Sequence, residues 1–560
     1  MAKHESDVVR PMTLGRAPEQ EDVWQTTAKY CDGKLSPTSI YGLLHRECHR
    51  LFPDDSFADL FRDIGRRSVP PRIVAVVMVL QRLEGLSDRE AVERFTFDVR
   101  WKYAAGGLDL DYPGFVHTVL VDMRARLRVS QDPNRIFTTV LDVARAAGLV
   151  GRRRVLDSTP LYDAVATQDT VTMIRAAIRG VLRVAEAPVA TEVRGVLQRE
   201  DDYVSAGKPV CDWDDAPARE ALVDALARDA YAVLIHLEGA PIPAEMKDAV
   251  TLLATVVGQD LELTDGGSFR IARRVAPDRV ISTVDPEARH GHKTAARGFD
   301  GFKGHIAIDP DSEIITASAV TAGNVADGRV TKELLEEILS VEKPLASAME
   351  PVDGAAGTAP KMLAADAAES APARVEVYGD ASYGTAEVLM DLEEAGAEAN
   401  VKVQAPNAPG GVFTKDAFHL DLANGTVTCP SGQLVPIRRR DDGSGLASFG
   451  IACKTCPLAP SCSMSKDGRH IRVHPHERIL SEARTRQKSS EWRARYRATR
   501  PKVERKLAHL MRRRHGGRRS RVRGTERIAQ DFALLCAADN LRRLATLEAP
   551  IRVLRTSVAG

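Results

Sequence analysis

The chain has 560 residues, which is more than one hydrophobic core supports and indicates several domains or large insertions. Its 44% hydrophobic and 28% charged residues are ordinary for a globular protein and exclude a disordered chain. The formal net charge is only +1, but residues 471–560 carry 24 Lys and Arg against 8 Asp and Glu. A basic end on a neutral protein indicates a polyanionic partner such as nucleic acid.

We expect no membrane partner, because no apolar run approaches the roughly 20 residues that cross a bilayer. The polar first residues, MAKHESDVVR, lack the apolar core of a signal peptide. The expected location is therefore the cytoplasm.

After a polar leader at 1–37, residues 38–148 repeat the apolar spacing of amphipathic helices, for example from Ile73 to Leu83. We predict an all-helical N-terminal domain. One interpretation is a helix-turn-helix DNA-binding module, and a dimerisation or packing bundle is the alternative. The basic side chains expected on its surface are Arg82, Arg89, Arg94, Arg100 and Lys102.

Two later segments each lead from β-favouring residues into an aspartate. RRRVLDSTPL predicts a short strand that ends at Asp157 before a turn over Ser-Thr-Pro, and VEVYGDASYG predicts a strand that ends at Asp380. Between them come helical periodicity at about 166–265, then a hairpin over KGHIAID and EIITASAVT, and a helix at about 327–339. We interpret the Ala-, Gly- and Pro-rich residues at about 342–372 as a flexible insertion.

A helix and the strand ANVKVQ follow Asp380. Strand, hairpin, helix, strand, helix and strand is the order of an RNase H-like sheet. The predicted fold class is therefore α/β, with an all-α N-terminal domain before an RNase H-like catalytic core. That core has a mixed five-stranded sheet with helices, and insertions interrupt its first part, at 149–404.

Asp157 and Asp380 are candidate metal ligands, because two-metal phosphodiester chemistry needs carboxylates that converge from separate elements. Taken singly, an aspartate at a strand end is more often a turn former or a helix cap. The helix over RPKVERKLAHLMRRR offers Glu504 as a third acid. On pattern alone, however, a surface ion pair with Arg500 is the preferred interpretation of Glu504. The apolar stripe of this helix consists of Val503, Leu507 and Leu510.

Several segments together resemble bacterial insertion-sequence transposases. They are GLSDREAVERFTFDVRWKYA, LDSTPLYDAVATQDT, GFKGHIAID, TAGNVADG, GDASYG and RPKVERKLAHLMRRRHGGRRSRVRG. The resemblance extends over roughly 38–545 and is strongest to the insertion-sequence eleven-eighty-two group, with an InsH-like N-terminal domain.

The resemblance implies a DDE transposase with the catalytic triad Asp157, Asp380 and Glu504 and two Mg²⁺ or Mn²⁺ ions. Such an enzyme binds the terminal inverted repeats of double-stranded DNA, hydrolyses the ends and joins the freed 3′-hydroxyls to target DNA. A homodimer at synapsis is the symmetric expectation, and the location implied is the bacterial nucleoid. A domesticated or inactive DNA-binding regulator and a metal-dependent nuclease without strand transfer remain alternatives.

In related enzymes the glutamate helix carries Tyr, two residues, Arg, three residues, Glu, six residues and Lys. Arg500 and Glu504 fit this signature. Arg497 takes the Tyr position with Tyr496 beside it, and a methionine takes the Lys position with Arg512 beside it. The resemblance therefore implies that Arg500 contacts DNA phosphate, and that the Tyr and Lys roles pass to Tyr496 and Arg512.

The segment RRRHGGRRSRVRG, here called the basic segment (512–524), holds seven arginines. Such a density of like charges repels itself unless anions neutralise it, which favours phosphate contact over a merely solvated face. The predicted DNA-binding residues are Tyr496, Arg497, Arg500, Arg512, Arg513, Arg514, Arg518, Arg519, Arg521 and Arg523.

Four of the eight cysteines fall close together, at Cys429, Cys453, Cys456 and Cys462. Their spacing is compatible with a structural zinc site of four cysteines in a β-rich insertion at 405–488, and reduced thiols are an equal alternative. Residues 489–545 then hold the glutamate helix and basic C-terminal helices, and 546–560 form a tail. The nearby substitute ligands are His470, His474 and His476.

Overall fold

The computed structural model describes residues 13–15, 26–294, 297–339 and 374–548. The predicted flexible insertion at about 342–372 lies outside these residues, as do parts of the predicted leader and tail. No helix in the described ranges is both long and apolar enough to span a bilayer.

The first part of the chain is helical, as its apolar spacing predicts. Helix α3 is buried on nearly every side, which explains why its apolar residues do not form a narrow stripe. Ser87 and Glu90 form a capping box that starts α4. The helices are α1 Thr27–Cys31, α2 Ile40–Leu51, α3 Pro71–Glu84, α4 Asp88–Phe97, α5 Val99–Ala104, α6 Thr118–Arg128 and α7 Arg135–Ala146.

Strand β1 covers Arg153–Tyr162, so the prediction that the strand ends at Asp157 is wrong. Residues 155–162 pair antiparallel with residues 308–301, and this long ladder outweighs the turn preference of Ser-Thr-Pro. Pro160 is tolerated because the parallel pairing on the other side of β1 stops at Val155, so its missing N–H is not needed there.

A helical insertion follows β1 and has a hydrophobic core of its own. It begins close to the predicted position and finishes with a short antiparallel hairpin. Its elements are α8 Thr170–Val184, α9 Ala187–Val196, α10 Ala216–Leu237, α11 Ala244–Asp260, β2 Leu261–Leu263 and β3 Phe269–Ile271.

The chain then completes the large sheet. Its remaining elements are β4 Arg289–Thr294, β5 Arg297–Ile308, β6 Ile315–Ala322, α12 Thr331–Leu339, β7 Glu376–Gly379, α13 Ala386–Glu394 and β8 Glu398–Val401. The strands run β8-β7-β1-β5, and both β6 and β4 pair with the outer edge of β5. Strands β1, β7 and β8 are parallel, and β5 is antiparallel to β1. The predicted mixed sheet is confirmed, but with six strands instead of five, because the polar strand β4 gives no period-2 apolar signal.

A small β-rich unit and four helices complete the described chain. The unit contains β9 His419–Asp421, β10 Thr426–Thr428, β11 Leu434–Pro436, β12 Arg438–Arg439, β13 Gly445–Ser448, α14 Ala459–Cys462 and β14 His470–Val473. The helices are α15 Glu477–Arg486, α16 Ser490–Thr499, α17 Pro501–Leu510 and α18 Thr525–Thr546.

The N-terminal helices share one core with the large sheet. Helix α18 packs against α3 and α7 on one side and against β6 on the other, and its centre is fully buried. Helices α12, α13 and α15 cover the opposite face of the sheet. The expectation that Arg82 and Lys102 lie on the surface is wrong, because both are buried. Arg82 forms an ion pair with Asp531 of α18 at 3.0 Å, and Lys102 donates to the carbonyl of Leu110.

Candidate active site

Asp157 lies on β1 and Asp380 directly follows the parallel strand β7, at the same level of the sheet. The parallel register pairs Val155 of β1 with Tyr378 of β7, so two residues further along, Asp157 comes level with Asp380. Side chains two residues apart on a strand share a face of the sheet. The two carboxylates are therefore neighbours, although they are separated by more than 220 residues of sequence.

Arg500 connects these carboxylates to each other. Its guanidinium forms a forked pair with Asp157, with Nη2 to Oδ1 at 2.9 Å and Nη1 to Oδ2 at 3.1 Å. The same group lies 3.8 Å from Oδ2 of Asp380. Burial raises the pKa of Asp157, and the charge of Arg500 opposes that rise. Since both side chains of the pair are almost entirely buried, a partly desolvated charge pair lies at the base of the site.

Helix α17 supplies the third carboxylate. Pro501 opens this helix, where its missing N–H costs nothing, and the predicted apolar stripe of α17 is buried against the sheet. This docking leaves Glu504 on the exposed side, with 62% of its side chain accessible and Oε1 3.7 Å from Nη1 of Arg500. The ion pair expected from the helix pattern therefore forms only as a long contact. The three predicted acids meet around a single guanidinium.

The acids line a cleft of about 380 Å³ that contains polar side chains the sequence prediction missed. Its wall includes Lys303 and Asp327, which form an ion pair at 2.8 Å. These two residues lie within GFKGHIAID and TAGNVADG, whose resemblance to transposase segments was the signal that could have found them. The remaining polar residues that line it are Ser158, Thr159, His292, Lys293, Ser382 and Arg518.

Two parts of the chain match known protein families. Residues 428–545 match the family described as transposase DDE domain, and residues 41–126 match the family described as transposase domain (DUF772). Both matches are to families of transposases. No curated protein and no solved structure matches it. The finer assignment to an insertion-sequence group with an InsH-like domain stays a prediction.

In sequence, the two matches lie on either side of the large sheet. The first covers the β-rich unit from residue 428 onward and helices α15–α18, including Glu504, and the second covers most of helices α2–α6. The DDE domain implies an RNase H-like fold and a DNA-cleaving, strand-transferring enzyme. The strand order and directions of the sheet agree with that fold.

The basic segment (512–524) is partly structural. Arg521 donates to the carbonyl of Leu86, and Arg519 donates to the carbonyl of Ala164 at 2.9 Å. Arg518 lines the cleft. Gly516 adopts a left-handed backbone at φ 88°, and a Cβ on the facing Gly85 would come within 2.6 Å of its amide nitrogen. The exposed predicted arginines are Arg497, Arg512, Arg513, Arg514, Arg519 and Arg523.

Tyr496, the predicted stand-in for the signature tyrosine, lies beneath the end of β7. Its hydroxyl donates to the carbonyl of Gly379 at 3.2 Å, and its ring stacks on Trp492. It therefore supports the backbone that carries Asp380, and nothing in this contact exposes it to DNA.

The four clustered cysteines line one small cavity of the β-rich unit, together with Ser431. The hydroxyl of Ser431 lies 3.4 Å from the sulfur of Cys429 and 3.5 Å from that of Cys456. Burial would raise the pKa of Cys429, but hydrogen bonds from Ser431 and from nearby backbone amides lower it. The histidines at 470, 474 and 476 do not line this cavity.

In the described ranges, no three acidic, imidazole or thiol groups converge closely enough to hold one metal ion. In the cleft, the guanidinium of Arg500 lies between the carboxylates and accounts for their separation. The donor set itself, three carboxylates facing one cleft, has the hard oxygen chemistry that Mg²⁺ and Mn²⁺ prefer. The residues therefore fit such ions once the guanidinium moves away.

Proposed function

We propose that this transposase binds the terminal inverted repeats of its own insertion sequence, hydrolyses the DNA ends and joins the freed 3′-hydroxyls to target DNA. Asp157, Asp380 and Glu504 would hold two Mg²⁺ or Mn²⁺ ions. The observation that carries the proposal is the level placement of Asp157, on β1, and of Asp380, directly after the parallel strand β7, with Glu504 facing them across Arg500.

Each acid has a distinct setting that supports a separate role. Asp157 is nearly buried and held by two donors, so it suits a fixed ligand that both ions could share. Asp380 and Glu504 are more exposed and suit ligands that adjust as DNA enters. When bound, the two ions would activate the attacking oxygen and stabilise the leaving oxygen.

Arg500 has two tasks in this proposal. Without DNA it neutralises part of the charge of three facing carboxylates, whose mutual repulsion would otherwise be costly in a partly buried cleft. With DNA bound, its planar fork suits a phosphate as well as a carboxylate. It would then leave Asp157 for the DNA backbone as the metal ions take its place.

The test uses DNA from the flanks of the transposase gene, with Mg²⁺ or Mn²⁺, and follows both cleavage and joining. Asp157→Asn, Asp380→Asn and Glu504→Gln should each abolish both reactions. Glu491→Gln, which changes an exposed glutamate one helix earlier, should leave both intact and serves as the matched control.

The outcomes separate the alternatives. Undiminished cleavage by one of the three variants removes that residue from the triad. Cleavage without joining by the wild-type protein indicates a nuclease, and specific binding of the flanks without cleavage indicates a DNA-binding regulator.

We also propose that Cys429, Cys453, Cys456 and Cys462 bind one structural zinc ion. Support comes from the common cavity that all four side chains line and from the hydrogen bonds that favour the thiolate of Cys429. The side chains must turn toward the cavity to reach one ion, since they do not converge in the described structure.

A further inference from the structure

Three segments that resemble transposase motifs meet at one polar cluster beside the triad. Ser158 comes from LDSTPL, Lys303 from GFKGHIAID and Asp327 from TAGNVADG. The hydroxyl of Ser158 donates to Oδ2 of Asp327 at 2.7 Å, and Nζ of Lys303 donates to Oδ1 at 2.8 Å. The three side chains are separated by up to 169 residues, so the fold alone brings them together.

Asp327 is a buried carboxylate, with 8% of its side chain exposed. A buried charge is stable only when it is paired and hydrogen-bonded, and here each oxygen has its own donor. Asp327 thus has both of its oxygens engaged by the protein. It is arranged to hold Ser158 and Lys303 in place.

The cluster reaches Asp157 through the backbone. The amide of Ser158 donates to Oδ1 of Asp157 at 2.9 Å, while its hydroxyl is held by Asp327. The hydroxyl of Ser158 is thus held by Asp327, and its backbone amide in turn holds the carboxylate of Asp157. This restraint matters because the pairing of β1 with β7 stops at Val155, two residues before Asp157.

Tyr383 provides a second sign that the cluster and the triad form one electrostatic unit. Its ring is fully buried. Burial raises the pKa of its hydroxyl, and the charges of Asp327, Asp157 and Asp380 raise the pKa further. The fourth carboxylate therefore lies within electrostatic reach of the same group as two triad members.

We propose that Asp327 and Lys303 are positioning residues of the transposition site, which clamp Ser158 so that Asp157 stays level with Asp380. The inference rests on the proposed function, because it assigns the clamp to the metal site. Partners that orient metal ligands typically contribute roughly 10–100-fold to metal affinity or activity. The clamp should act in that range.

The test measures Mn²⁺ affinity of the full-length protein without DNA, by calorimetry or by electron paramagnetic resonance. Asp327→Asn keeps the shape of the side chain but removes its charge, and should weaken Mn²⁺ binding roughly 10–100-fold. Ser158→Ala removes one hydroxyl and should weaken binding in the same direction by less. Lys303→Arg, which keeps the charge, should retain more affinity than Lys303→Met.

Asp260→Asn is the matched control. Asp260 is similarly buried, pairs with Arg279 at 2.6 Å and accepts a hydroxyl hydrogen bond from Thr170, but it lies outside the cleft. It should lower the melting temperature and leave Mn²⁺ affinity unchanged. Asp157→Asn should lose Mn²⁺ binding altogether.

The results test the clamp and the proposed metal site separately. Wild-type Mn²⁺ affinity in Asp327→Asn and Ser158→Ala, with binding lost in Asp157→Asn, overturns the clamp alone. Equal losses in Asp327→Asn and Asp260→Asn also overturn it, because the effect would then be general destabilisation. Unchanged binding in Asp157→Asn overturns the proposed metal site, and the clamp with it.

Discussion

Replacing Arg500 with glutamine should make the DNA-free protein bind Mn²⁺ more tightly. In the wild-type protein both oxygens of Asp157 accept hydrogen bonds from Arg500, so a metal ion must displace a guanidinium before it can use them. Glutamine is shorter and neutral and cannot compete in this way. The substitution therefore removes the positive charge that lies between the carboxylates of Asp157, Asp380 and Glu504.

The size of the effect follows from the contacts that are lost. A hydrogen bond to a charged group contributes about 1.5–3 kcal/mol, and each 1.4 kcal/mol corresponds to a factor of about ten in affinity. We expect Mn²⁺ affinity to rise roughly 10–100-fold in Arg500→Gln. Loss of one partner of a buried ion pair should also lower the free energy of unfolding by about 3 kcal/mol. Arg500→Lys keeps the positive charge but loses the forked donor geometry. Its Mn²⁺ affinity should therefore lie between those of the wild-type protein and Arg500→Gln.

The assay is calorimetric Mn²⁺ titration, with and without DNA from the gene flanks, alongside urea unfolding. In the wild-type protein, DNA should increase Mn²⁺ affinity, because the phosphate draws Arg500 away from Asp157. In Arg500→Gln this dependence on DNA should disappear, and cleavage should fall despite tighter metal binding. Weaker Mn²⁺ binding by Arg500→Gln in the absence of DNA would refute the idea that Arg500 competes with the metal ion for Asp157.

Three further predictions concern the β-rich unit and the basic segment. Burial would raise the pKa of Glu477, but hydrogen bonds, led by the one from Lys415, lower it below its ordinary value of 4.5. The ionised carboxylate therefore stabilises the fold above about pH 4.5, and this stabilisation is lost as the pH falls through the folded-state pKa. Glu477→Gln should therefore lower the melting temperature at pH 7, and by progressively less as the pH falls below about 4.5, as followed by calorimetry. Elemental analysis should find about one zinc per chain, and the double substitution Cys453→Ser and Cys456→Ser should remove it. If the wild-type protein contains no zinc, the four cysteines are ordinary reduced thiols. Arg518→Ala should reduce the salt dependence of DNA binding by about one phosphate contact, whereas Arg521→Ala, whose guanidinium is bound to Leu86, should not change it.

The strands and helices of the sheet were predictable where local pattern and tertiary pairing agree. The hairpin of β5 and β6 and the strand before Asp380 follow from their apolar alternation. The end of β1 was not predictable, because Ser-Thr-Pro favours a turn locally and only the ladder with β5 keeps it extended. Strand β4 was missed for a related reason, since its polar side chains show no buried face.

The residues of the candidate site could likewise be predicted only in part. The two aspartates could be predicted because each follows a strand pattern, although their common level depends on a register that the sequence does not display. The partner of Arg500 could not be predicted, because Asp157 lies 343 residues away and the helix pattern offered Glu504 one turn along. Lys303 and Asp327 lie in segments that resemble transposase segments, but their ion pair could not be predicted, because it joins β5 to the turn after β6.

The basic segment is hydrogen-bonded both to β1 and to the N-terminal helices. The amide of Tyr162, at the end of β1, donates to the carbonyl of Arg518 at 2.8 Å, and the amide of Ser520 donates back to Tyr162 at 2.8 Å. The same segment accepts a hydrogen bond from Arg82 through the carbonyl of His515. A phosphate bound at Arg518 is therefore attached by backbone hydrogen bonds to the strand that carries Asp157, and by a buried arginine to the N-terminal helices. DNA bound at the cleft would therefore contact a segment that is hydrogen-bonded both to β1 and to the N-terminal helices.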